Sequence, residues 1–141
     1  MLPADATVAD SIGKRGRKVC AYLSIVGFDV EPAAISSRLA LTPTESWNQG
    51  DDGPFGARNF AAWRLFSRCN NEHSIDAHIL DVLAQLEGRE SVVFRLSAEC
   101  RVTMQCVAYM SGGCPNLSLD VETMRTLVSI GVTLDVDLYL A

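Results

Sequence analysis

The chain has 141 residues, 48% of them hydrophobic and 21% charged, which suits one ordinary domain able to bury a core without disulfides or metal. Its net charge is -5, and four of its twelve basic residues fall in one cluster, Lys14, Arg15, Arg17 and Lys18. Beyond that cluster eight arginines face fifteen acidic residues, an excess that repels a phosphate backbone and excludes nucleic-acid binding by the folded body.

Residues 1–18 read as a flexible, basic N-terminal tail, and residues 19–141 as a single α+β domain. The N-terminus lacks the apolar stretch of a signal peptide, and no apolar run approaches membrane-spanning length. Five cysteines (Cys20, Cys69, Cys100, Cys106 and Cys114) with no CxxC spacing read as reduced thiols, so the expected location is the cytoplasm.

From Val19, alternation in "VCAYLSIVG" predicts a strand with Val19, Ala21, Leu23 and Ile25 on one side. A short helix follows in "FDVEPAAISSRLAL", with Pro32 in its first turn and Ile35 and Leu39 toward the core. Residues 42–50 and 59–68 form the strands of a hairpin, with the turn-rich Asp51–Gly56 between them and Ala61, Trp63 and Leu65 on one face. Ser74 caps a helix reaching about Glu87, whose stripe is Ile75, Ile79, Val82, Leu83 and Leu86; Gly88 ends it. Residues 88–98 fit either a second helix or a strand, the helix being preferred. A strand at 100–110 turns Cys100, Val102, Met104 and Cys106 inward, and a helix capped near Ser118 carries Met124, Leu127 and Val128. The last strand, "TLDVDLYL", turns Leu134, Val136, Leu138 and Leu140 inward.

That order predicts a ferredoxin-like α+β sandwich (strand–helix–strand–strand–helix–strand) with an appended helix–strand unit, about five strands with the helices on one face. The opposite face should then display Tyr22, Ser24, Arg101, Thr103, Gln105, Asp135, Asp137 and Tyr139, either wet or covered by a partner.

Chemistry-bearing patterns are sparse. A calcium loop begun at Asp51 would put Ala62 where a bidentate carboxylate belongs, and the adjacent Asp51 and Asp52 repel phosphate. Cys69 and His73 have half a zinc spacing, with His78 nearby, but no complete ligand set follows; neither a metal nor a cofactor is expected. His78 reads as a structural residue beside an apolar stripe, and no nucleophile elbow accompanies it. Cys114, in the loop "SGGCPN", reads as an inert thiol because no cation adjoins it in sequence. Asp135 and Asp137 share a sheet face; they are either an acid/base pair or a solvated set with Arg64 and Arg101 as cross-strand partners. Asp51 is expected to bond nearby backbone amides, Trp63 to be core, and Trp47 to be either core or the anchor of an interaction surface.

"YLSIVGFDVEP", "LALTPTESWNQGD" and "NLSLDVETMRTLVSIGVTLDVDLY" resemble the bacterial domain of unknown function family 4279 over roughly Cys20 to Tyr139. The most specific pieces are Leu41, Pro43 and Thr44 with the following Gly50 and Asp51, and the closing glycine–strand pattern. The resemblance supports the order of elements and a helix after Gly88, and it implies no activity.

The functional expectation is a non-enzymatic module that recognises a protein partner or itself, one version being an immunity-type protein that blocks a basic toxin. Binding would use Trp47, Asp51, Arg64, Arg101, Gln105, Asp135, Asp137 and Tyr139 on the open face, with no nucleic acid or membrane involved. The alternatives are a small-ligand-binding protein or hydrolase on that face, and an architectural homodimer.

Overall fold

The computed structural model describes residues 18–110, 113 and 116–140. Its elements are β1 (Val19–Val26), α1 (Pro32–Leu39), β2 (Glu45–Trp47), β3 (Asp52–Gly53), β4 (Gly56–Ala57), β5 (Ala62–Phe66), α2 (Ile75–Gln85), α3 (Glu90–Glu99), β6 (Arg101–Met110), α4 (Val121–Ser129) and β7 (Thr133–Leu140). The α+β class is as the sequence predicts, and residues 88–98 resolve as the helix α3. One five-stranded sheet runs β2-β5-β1-β6-β7, and the hairpin tip adds the two-residue ladder β3-β4. β1 is central and antiparallel to β5 and β6, β2 is antiparallel to β5, and β7 is parallel to β6. That last pair needs a crossover, and α4 supplies it.

Local chemistry sets the helix ends. Pro32 opens α1, where a missing N–H costs nothing. The Ser74 hydroxyl accepts from the Ala77 amide at the start of α2. Asp120, not Ser118, caps α4 through a 2.8 Å bond from the Thr123 amide, so the helix starts later than expected.

That start fixes the phase of α4. Thr123, Leu127 and Ile130 turn inward, while Met124 and Val128 face solvent, correcting their expected core role. One apolar cluster joins all four helices to a single side of the sheet: Ile35, Ile79, Val93 and Leu127 from the helices meet Leu23, Ile25, Trp63, Leu65 and Met104 from the strands. Each large aliphatic side chain fully buried there contributes roughly 1.5–3 kcal/mol before chain entropy opposes it. Leu134 and Val136 of β7 pack against this cluster, so the strand register is as predicted. Leu138 and Leu140 lie on the same side but stay exposed, because they run to the end of an edge strand.

Candidate functional site

The sheet face away from the helices, expected to be either wet or covered by a partner, is in large part buried. Cys20, Tyr22, Phe66 and Val107 form a second buried cluster there, and Gln105 is buried as well. Tyr22 stacks on Phe66 with ring centroids 4.5 Å apart. The Arg64 guanidinium lies 5.2 Å from the Tyr22 ring and 4.5 Å from the Trp47 ring, and it meets the Glu45 carboxylate at 3.2 Å. Arg64 is therefore an ion-paired partner of Glu45, not of the β7 aspartates. Arg58 covers Trp47 at 3.8 Å.

Each charge in this stack of rings and guanidiniums is held by a quadrupole or by Glu45. Burial lowers the proton affinity of Arg58, and the nearby Arg64 charge lowers it further. Burial also drives the Tyr22 phenol well above its usual range. Trp47 is only 8% exposed and donates its ring N–H to the Phe60 carbonyl at 2.9 Å. It is a packed residue rather than an exposed anchor.

The remaining nominated residues do not converge. Gln105 donates to Asp137 at 3.0 Å, Asp135 is exposed, and Tyr139 lies 5.5 Å from Tyr109. Arg101 is opposite Val26, four residues along β6 from Gln105, or about 13 Å at strand rise. An acid/base set built from Arg101, Asp135 and Asp137 is thus not assembled. Asp51 accepts from the Asn48 amide at 2.8 Å and shapes the hairpin tip.

One contact missed by sequence reasoning is Ser67 Oγ to His78 Nδ1 at 2.5 Å. Its signal is only visible in three dimensions, since β5 and α2 bring the pair together. Both residues are sealed from solvent, and His78 Nε2 meets the Asn70 carbonyl at 3.0 Å rather than a carboxylate. This is a strut between strand and helix, with no access for substrate. Burial pushes the Cys106 thiol up to about 12 and raises Cys69 and Cys100, so none of these is primed as a thiolate. Cys114, Lys14, Arg15 and Arg17 lie outside the described residues. Among the described residues, no group of three metal-ligating side chains forms, and no helix is long and apolar enough to cross a membrane.

Exposed apolar side chains gather instead on α4 and β7. Val121, Met124 and Val128 follow one another at helical spacing on α4, and Val128 is 77% exposed. Leu138 and Leu140 stand on the helix side of β7, with Leu140 at 84%. Among the described residues β7 pairs only with β6, and no described strand covers its other edge.

With this geometry in view, the model of the domain of unknown function DUF4279 matches residues 17–141. The chain belongs to this family. No curated protein and no solved structure gives a match. The DUF4279 residues that carried the resemblance have physical work in the β2–β5 hairpin. The Thr44 hydroxyl accepts from the Phe66 amide at 2.9 Å, its own N–H donates to the Arg64 carbonyl, and Gly50 sits at a φ of 91° that disfavours a side chain.

Proposed function

We propose that this DUF4279 chain is a non-enzymatic recognition module that binds a protein partner along the margin formed by α4 and the free edge of β7. The observations that carry the reading are the exposed Val121, Met124 and Val128 on α4 and the exposed Leu138 and Leu140 on β7, which is an edge strand among the described residues. Exposed apolar residues grouped in this way mark interaction surfaces, and an open edge offers backbone donors and acceptors to an incoming strand. The acidic excess favours a protein partner over a nucleic acid.

A photo-crosslinking amino acid placed at Val128, and separately at Asp135 on the opposite face, tests this in cells that express the chain naturally. A discrete adduct at position 128, lost on adding Met124→Asp, is expected. No adduct at 128, or equal adducts at both positions, would remove the reading.

A further inference from the structure

A groove of about 510 Å³ separates α2 from α4 on the flank of α4 opposite the apolar margin. Its apolar lining comes from Leu80, Leu83, Leu86 and Ile130, and Leu80 is half exposed. Four carboxylates border it: Asp120 and Glu122 at the N-terminal end of α4, Glu87 and Glu90 beyond the C-terminus of α2. Among the described residues no lysine or arginine lines it. The neighbouring bases are engaged: Arg125 with Glu122 at 2.7 Å, and Arg89 with the Leu39 and Ala40 carbonyls at the end of α1. α4 spans nine residues, about 14 Å of axis, which is the length of two to three turns of a docked helix.

We infer that this groove receives a basic amphipathic helix from a protein partner, its apolar stripe on Leu80, Leu83 and Ile130 and its lysines or arginines at the carboxylates on the rim. An apolar floor with acidic borders and no lining base is complementary to that occupant and repels an acidic one. A second copy of this chain fits the charge poorly, since the body beyond Lys18 is itself acidic. The inference shares the view of the chain as a recognition module but uses another surface, so either can fail alone.

The probe is a fluorescent, synthetic leucine–lysine amphipathic helix titrated onto the full chain, with a leucine–glutamate helix as the control. The lysine peptide should bind saturably, and its Kd should rise several-fold between about 50 and about 300 mM salt. Its amide shift changes should map to residues 80–90 and 120–130, and the glutamate peptide should not bind. Ala84→Trp fills the groove and should weaken binding at least about tenfold, whereas Glu87→Gln with Glu122→Gln, which leaves the groove open, should weaken it several-fold. Circular dichroism of each variant separates lost binding from lost folding, and the glutamine pair carries the test if the tryptophan variant does not fold. Equal affinity in folded variants, binding of the glutamate peptide, or shift changes elsewhere would overturn the inference. So would a concentration-dependent dimer that Ala84→Trp abolishes, because the occupant would then be a second copy.

Discussion

At the scale of single residues, polar groups that look functional in the sequence are held by packing. The Asn70 carbonyl can only accept, so His78 Nε2 carries the hydrogen of that bond, while Nδ1 shares the other with the Ser67 hydroxyl. His78→Ala removes a buried ring and strands both partners, so it should cost about 2–4 kcal/mol in urea unfolding. Asp81 illustrates the electrostatic side. The hydrogen bond from Arg68 holds its carboxyl below the usual carboxylate range, helped by the Arg68 amide and Gln85. A depressed folded pKa means stabilisation that is complete above the ordinary carboxylate value and lost as pH falls through the folded one. Asp81→Asn should therefore lose about 1 kcal/mol at neutral pH, and the gap in Tm from the parent chain should close as pH drops below about 4.

At the scale of elements, the glycines ending α2 and following α4 differ in what surrounds them. Gly88 has a φ of 86° with open space where a Cβ would go, whereas at Gly131 (φ 73°) a Cβ would strike the Ser97 hydroxyl and approach Phe94 on α3. Gly88→Ala should then cost about 1 kcal/mol from backbone strain alone, and Gly131→Ala about 1–2 kcal/mol more by thermal unfolding. Most elements were legible in the sequence, because period two and period 3.6 are written directly into apolar spacing. The phase of α4 was not. Met124, Leu127 and Val128 look like one stripe, but Asp120 and the inward Thr123 set the helix so that only Leu127 of the three is buried.

At the scale of the whole molecule, one cluster links the sheet to every helix, so no element has a separate core on the helical side. Leu23, fully buried on the central strand, contacts that shared core, and Leu23→Ala should destabilise by about 3–5 kcal/mol. Its unfolding should still be one transition, with tryptophan fluorescence and far-ultraviolet circular dichroism coinciding; separated midpoints would show that the hairpin unfolds independently. The candidate surface was less legible than the fold. Strand alternation correctly put Gln105, Asp135, Asp137 and Tyr139 on the face away from the helices, yet it carries no information on whether a face is covered.

By itself the sequence determined the class, the order of elements and the inward side of each strand, since these follow from short-range periodicity and caps. Only the tertiary structure decided that Trp47 and Arg64 are sealed in a stack of rings and guanidiniums, that Arg101 stands far from the β7 aspartates, and that the exposed apolar residues lie on α4 and β7. Those outcomes depend on which strands become neighbours and which becomes the edge, and contacts between residues distant along the chain settle both.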